Sequence, residues 1–268
     1  MLHAGRRVVL SLWLARRQPR ATGKSEQIRD APLAVLVAPP HVVLIDVSSN
    51  DSTFERMKIE VPRHDYTQGE LHLRDLSANP FEQFAKWFGE ACDANVVEAN
   101  AMSLATTGAD GWPAVRTVLL KSYDESGFVF YTNLESRKAR QMAENPKVSL
   151  LFPWLALQRQ VIVSGTVEKV STAETLQYFM MRPRGSQIGA WVSRQSSVLS
   201  SRAVLEMEWE QMLRKFATGR VPVPSWWGGY RVVARDMEFW QGRANRLHDR
   251  FLYKRQAQGA WIIERLAP

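Results

Sequence analysis

Cysteine is almost missing from this 268-residue chain. Cys92 stands alone, which excludes an intramolecular disulfide and any cysteine-based metal site. The five histidines (His3, His41, His64, His72 and His248) show no metal-ligand spacing, so no metal is expected. No apolar run is long enough to span a bilayer. No G-x-G-x-x-G follows a strand-like run, and the P-loop, H-E-x-x-H and G-x-S-x-G patterns are all missing. Rossmann dinucleotide binding, P-loop phosphoryl transfer, zinc proteolysis and nucleophile-elbow hydrolysis are therefore unsupported. There is no internal repeat and no low-complexity tract.

Acidic residues are missing from one stretch. Residues 1–24 carry Arg6, Arg7, Arg16, Arg17, Arg20 and Lys24 without a single Asp or Glu. The net charge of +8 is therefore uneven, because the rest of the chain holds 29 basic and 27 acidic residues, or +2. A nucleic-acid binder carries a basic face on its folded body, and this body is near neutral, so no nucleic-acid partner is expected. Arg6-Arg7 followed by Val8 to Ala15 faintly resembles a signal or transit peptide, yet the apolar run is short and lacks a small-residue cleavage site. A second patch, Leu33 to Val47, is interrupted by Pro39-Pro40 and His41. Residues 1–60 are expected to be a poorly ordered extension, and 61–268 one domain. A cytoplasmic location without membrane attachment is expected, with organelle targeting by the Arg-rich segment left open.

From about Arg63 the pattern is that of a compact domain. Phe81, Phe84, Trp87, Phe88 and Cys92 fall at helical spacing and predict an amphipathic helix whose aromatic stripe packs in the core. Ala101–Thr107 and Ala114–Lys121 read as strands flanking the hairpin signal Asp110-Gly111. Further strands are predicted over Gly127–Thr132, Val148–Phe152, Gln160–Val170, Tyr230–Ala234, Met237–Trp240, Arg250–Tyr253 and Ala260–Glu264. Helices are predicted over Glu135–Glu144, from the capping box Ser171-Thr172-Ala173-Glu174 to about Met181, and over Ser201–Ala217, the last with Leu205, Trp209, Met212, Leu213 and Phe216 on one face. Many short strands without βαβ alternation argue for a mainly β antiparallel barrel with peripheral helices.

The candidate chemistry lies in basic residues beside hydroxyls. Arg116 and Lys121 are five apart and would face opposite sides of a regular strand; two snorkelling surface cations are the plainer alternative. Tyr131-Thr132-Asn133 runs toward a helix start carrying Arg137 and Lys138, where cations oppose the macrodipole and a bound anion would explain them. Tyr178, Arg182 and Ser186 can converge as a phosphate clamp, against the alternative of an arginine complementing a helix C-terminus. Gln160 and Gln195-Ser196-Ser197 could hydrogen-bond a heterocycle edge. If residues 246–250 are extended, Arg246, His248 and Arg250 share one face. Beside Trp240 and Gly242, that face suits half of a site for a phosphorylated, flat aromatic ligand. The plainer alternative is a charged edge strand.

These motifs together resemble the pyridoxine (pyridoxamine) 5′-phosphate oxidase family. The resemblance is carried by Arg116 to Lys121, Tyr131-Thr132-Asn133 with Ser136-Arg137-Lys138, Arg182-Pro183 with Ser186 to Ala190, Gln195-Ser196-Ser197, Trp227-Gly228-Gly229, Phe239 to Gly242, and Arg246-Leu247-His248-Asp249-Arg250. It covers about Arg63 to Pro268, with the motifs in family order. It implies an FMN-binding split β-barrel, homodimeric, with two FMN sites at the subunit interface. The implied reaction oxidises pyridoxine or pyridoxamine 5′-phosphate to pyridoxal 5′-phosphate, with a hydride passing from substrate C4′ to flavin N5 and O₂ reduced to hydrogen peroxide. The implied FMN contacts are Arg116, Lys121, Tyr131, Thr132, Arg137, Lys138, Gln160, Gln195, Ser196, Trp240 and Arg250. The implied substrate contacts are Lys121, Tyr178, Arg182 and Ser186 at the phosphate, Arg246 and His248 as catalytic groups over the ring, and Arg63 and Tyr66 in a segment that closes over it. Met180-Met181 and Gln68-Gly69-Glu70 depart from the family pattern, and neither falls on a matched position. Two rivals remain: a non-catalytic carrier of FMN or pyridoxal phosphate, which needs the same cations, and another split-barrel flavin reductase, for which the Arg-Leu-His motif and the Tyr178, Arg182 and Ser186 clamp would be unnecessary.

Overall fold

The computed structural model describes residues 65–193 and 195–268; the extension expected over residues 1–60, and Arg63, lie outside the described residues. Nine strands make one antiparallel sheet: β1 (Ala101–Thr107), β2 (Pro113–Leu119), β3 (Ser122–Asp124), β4 (Gly127–Asn133), β5 (Lys147–Trp154), β6 (Arg159–Lys169), β7 (Trp227–Gln241), β8 (Asp249–Arg255) and β9 (Trp261–Leu266). Their order is β2-β1-β5-β6-β7-β4-β3, with β8 on β7 and β9 on β8. The helices are α1 (Pro80–Asp93), α2 (Arg137–Glu144), α3 (Thr172–Met181), α4 (Arg184–Val192) and α5 (Arg202–Lys215). None of them is long and apolar enough to cross a membrane.

β7 is the organising strand. One edge pairs along its length with β6, while the other is shared between β4 (at 227–232) and β8 (at 236–241). The sequence predicts two strands here, broken near Arg235-Asp236. Instead a register shift at Ser164/Gly165 of β6 accommodates the irregularity, and β7 continues for 15 residues.

α1 starts as its sequence requires: the Asn79 side chain accepts the Phe81 N–H at 2.9 Å, and Pro80 occupies the first turn. Phe81, Phe84 and Trp87 of its stripe are buried, but Cys92 is exposed. Phe84 meets Tyr123, Phe128 and Phe152 edge-on, each at 4.9 Å between centroids. The capping box at Ser171/Glu174 is present in full. Two elements were not expected. α4 begins immediately after Pro183, which reads from sequence only as a helix stop, and β3 is too short to show a period. α5 forms as expected but buries none of its residues fully, with Leu213 left exposed. Its Trp209 and Met212 pack on a second small core around Phe179, Ile188 and Trp227.

Because Phe84 is fully buried against five aromatic neighbours, Phe84→Ala leaves a cavity that rigid strands cannot refill. Chemical denaturation at fixed protein concentration should show a loss of about 3–5 kcal/mol.

Candidate active site

β2 and β4, the first turn of α2, the end of α3 and the start of α4 enclose a cleft of about 940 Å³. It brings together eleven of the residues singled out in the sequence: Arg116, Lys121, Tyr131, Thr132, Arg137, Lys138, Tyr178, Arg182, Ser186, Gln195 and Ser196. Arg116 and Lys121 were expected on opposite faces, and that expectation fails. β2 stops at Leu119, and the chain then turns, with the Leu120 N–H bonded to Asn100 and the Lys121 N–H to Val129, so strand alternation no longer applies. Both cations line the same cleft. Among the described residues no carboxylate lines it.

Five cations held this way repel one another. Lys138 is the clearest case: burial, with Arg116 nearby, lowers its pKa to about 8. Its ammonium donates to Gln195 Oε1 at 2.6 Å and Thr132 Oγ1 at 3.1 Å, neutral partners that leave the charge uncompensated. Arg116 is likewise lowered, by burial and by Arg137. At the head of α2 the Ser136 side chain caps the helix, and the Arg137 N–H donates to Ser196 Oγ at 3.2 Å. The first turn thus faces the cleft with two cations where the helix itself favours an anion.

The other end of the cleft is aromatic. Tyr131, Tyr178 and Trp227 lie nearly parallel, with Tyr131 and Tyr178 centroids 4.1 Å apart. Gly229 pairs with Tyr131 across the sheet, and a Cβ there would come within 2.7 Å of that ring, so the glycine makes the stack possible. The Arg182 guanidinium sits 4.8 Å over Trp227. Its Nη1 is buried and has no hydrogen-bond partner. Trp227 is the residue that motif reading passed over as a site member, although an aromatic directly before Gly-Gly is a usable signal. Met181, one of the two departures from the family pattern, also lines this end.

Tyr66, Gln160, Trp240, Arg246, His248 and Arg250 are not in the cleft. They gather at the opposite end of β7. Trp240 pairs with Gln160 on one side and Arg250 on the other. The Trp240 and His248 rings lie 4.6 Å apart, and Tyr66 packs edge-on to Trp240 at 5.8 Å. A Cβ on Gly242 would meet Tyr66 at 2.7 Å, so only glycine admits this packing. The extended run expected over 246–250 is absent. Residues 244–246 form a single 3₁₀ turn with positive φ at Asn245 and Arg246, and β8 begins only at Asp249. His248 is therefore set by the turn: its Nδ1 accepts the Arg243 N–H at 3.1 Å. Burial, with Arg246 beside it, lowers its pKa and so favours the neutral ring, and with Nδ1 accepting, that ring carries its proton on Nε2. Arg250 donates to Glu238 at 2.8 Å, which raises its pKa. Asp249 anchors the turn by accepting from Leu71 N–H, Arg243 and Arg265. Glu70, within the other departure, pairs with Arg243 at 2.8 Å.

Residues 88–215 match the family described as Pyridoxamine 5′-phosphate oxidase, and residues 227–268 match the Pyridoxine 5′-phosphate oxidase C-terminal dimerisation region. A pyridoxine/pyridoxamine 5′-phosphate oxidase from Rippkaea orientalis is 57% identical over 212 residues, 79% of this chain and 100% of that protein. One from Salmonella paratyphi B is 54% identical over 222 residues, 83% of this chain and all of that one. The chain belongs to the pyridoxine/pyridoxamine 5′-phosphate oxidase family. Among solved structures, PhzG from Burkholderia lata 383, in complex with tetrahydrophenazine-1-carboxylic acid, superposes with a TM-score of 0.69 at 29% identity, covering 73% of this chain and 95% of its own.

The protein is accordingly a homodimeric split-barrel oxidase with FMN as cofactor, and β7, β8 and β9 are its dimerisation region. The cleft fits a phosphorylated flavin in its own chemistry: cations without a counter-charge, amide and hydroxyl donors, and a buried guanidinium nitrogen lacking an acceptor. A lysine at about 8 carries a testable signature. Its folded pKa lies below the ordinary lysine value, so the cost of the buried charge is present below about pH 8 and relieved above it. An anion gripped by Lys138 must restore that proton. FMN affinity, followed by flavin fluorescence quenching, should be flat between about pH 7 and 8 and then weaken by up to about tenfold per pH unit. Lys138→Met should bind weakly and without that bend.

Proposed function

We propose that the cleft of one protomer and the Trp240–His248 cluster of its partner together form each active site, which oxidises pyridoxine or pyridoxamine 5′-phosphate to pyridoxal 5′-phosphate. The observation that carries this reading is the buried, partnerless Nη1 of Arg182 in a cleft without carboxylates, which calls for a phosphate ester at that end. Two phosphates are accommodated because the cations form two groups. Arg116, Arg137 and Lys138, with Thr132, Gln195 and Ser196, hold the phosphate side of FMN. Lys121, Tyr178, Arg182 and Ser186 hold that of the substrate, a remote anchor whose binding energy positions the reacting carbon.

The partition between protomers follows from β7. Trp227 and Trp240 are thirteen residues apart on one strand, up to roughly 40 Å at about 3.3 Å per residue. A single chain cannot fold one end onto the other. The partner subunit's Gln160, Trp240 and Arg250 would complete the flavin contacts, and its Arg246 and His248 would cover the substrate ring. Bound FMN would supply the redox chemistry, as acceptor of the hydride from substrate C4′, with O₂ as the final oxidant and hydrogen peroxide as its product. His248 donates from Nε2 toward the ring's 3-oxygen, and Arg246 pairs with the negative charge that oxygen carries, which fixes the ring while hydride leaves C4′. Tyr66, seated on Trp240 and His248, closes that side against water, and Arg63 belongs to the same segment. A cytoplasmic location is part of this reading, in keeping with a chain whose single cysteine leaves it no disulfide of its own.

The test is spectroscopic. Anaerobic addition of pyridoxine 5′-phosphate to the purified yellow protein should bleach the flavin band, and air should restore it. Arg246→Ala should keep its FMN, raise KM and lower kcat, with kcat/KM down roughly 10²-fold or more. A flavin band that survives excess substrate, or unaltered kinetics in the variant, overturns the assignment.

A further inference from the structure

Arg116 does not reach the cleft freely. Its Nη1 donates to Thr106 Oγ1 at 2.6 Å and to the Leu104 carbonyl at 3.0 Å, while Nη2 donates to Gln141 Oε1 at 3.4 Å. The Thr106 hydroxyl donates in turn to that same Gln141 oxygen at 2.7 Å. Thr106 and Gln141 are buried, at 1% and 6% exposure. Thr106 is the one hydroxyl in the inward row Met102, Leu104, Thr106 of β1, where valine would fill the same space. Gln141 lies on α2, one turn after Arg137 and Lys138.

The arrangement ties three repelling cations to one scaffold. Arg116 rides on β2, Arg137 and Lys138 on α2, and the Thr106–Gln141 pair joins α2 to β1, the strand paired with β2, where these charges push apart. The choice of an amide matters. An amide oxygen accepts from the guanidinium without cancelling its charge, whereas a carboxylate there would neutralise Arg116 and repel a phosphate. Among the described residues none of the three cations has a carboxylate partner.

We propose that Thr106 and Gln141 are positioning residues that aim Arg116 at the phosphate of the flavin and so set the preference for FMN over unphosphorylated riboflavin. This rests on the reading of the cleft as the FMN phosphate site. The test compares FMN and riboflavin binding by fluorescence quenching in the apoprotein, with thermal melting as a check on folding. Thr106→Val and Gln141→Leu should each lose about 10- to 100-fold in FMN affinity while riboflavin affinity holds. Gln141→Glu should lose more than Gln141→Leu, and Thr106→Ser should bind FMN like the parent protein. Equal losses for both flavins, or FMN binding unaffected in the Val and Leu variants, overturn the proposal. Should Thr106→Val fail to fold, the Glu-against-Leu comparison at Gln141 decides alone. Arg116→Ala separates the two levels. If it keeps the preference for FMN, the reading of the cleft fails. If it loses the preference while the Thr106 and Gln141 variants keep it, only their positioning role fails.

Discussion

Like charges held together without a counter-ion are the constraint around which this protein is built. Arg116, Lys121, Arg137, Lys138 and Arg182 converge on one cleft with no carboxylate among the lining residues described. In the isolated protomer that gathering is unfavourable: burial, with a neighbouring cation, lowers the pKa values of Lys138 and Arg116, and burial lowers that of Arg182. It persists because three of the cations are fixed by neutral acceptors or aromatic faces on rigid strands and helix ends. Lys138 rests on Thr132 and Gln195, Arg182 on Trp227, and Arg116 on Thr106 and Leu104. Neutral supports hold position without consuming charge. Anion affinity is therefore built into the fold before any ligand arrives, and ligand binding repays an electrostatic cost already present.

The same logic explains why so long a strand runs through the sheet. β7 bears the aromatic floor of the cleft at Trp227 and, thirteen residues on, the aromatic cluster at Trp240, too far away to reach the same cleft within one chain. In the arrangement proposed above, dimerisation through β7, β8 and β9 turns that separation into a way of closing the site. The half-sites also differ in how they are stabilised. The cleft depends on hydrogen bonds from elements packed on the main core. The Trp240 cluster depends on Asp249, a buried carboxylate that collects Leu71, Arg243 and Arg265 and whose pKa is lowered by those contacts despite its burial.

Most of the architecture was legible in the sequence, since strands with one buried face and capped helices declare themselves locally. The capping box at Ser171 and the glycine turn before β2 both formed as their residues require. Period-two reasoning failed at two places, and both lie at the candidate site. At Leu120 the chain leaves β2, bringing Lys121 to the side of Arg116. At Asn245-Arg246 two consecutive residues with positive φ replace a strand. A non-glycine residue in that region is costly and persists only where its surroundings dictate it. Local pattern cannot signal such positions, because the compensating contacts come from distant residues: Leu71, Glu70 and Arg265 in this case. Thr106 and Gln141 were invisible for another reason. A threonine in a strand and a glutamine in a helix are ordinary until the fold places them against the same arginine.

That turn also determines what His248 can do. Were residues 246–250 extended, His248 would stand between two cations on one face with no partner for Nδ1, and either tautomer would be open to it. In the turn, the Arg243 N–H points at Nδ1 and removes the choice. The neutral ring can then only donate from Nε2, which suits an oxygen carrying negative charge and does not suit proton abstraction. Backbone strain at Asn245 and Arg246 is thus spent on a single outcome: an imidazole that is uncharged, oriented, and a donor at its outer nitrogen. Asp249 holds the Arg243 side chain, and through it the N–H that fixes the tautomer. A residue making no direct approach to the ring thereby governs which role His248 has.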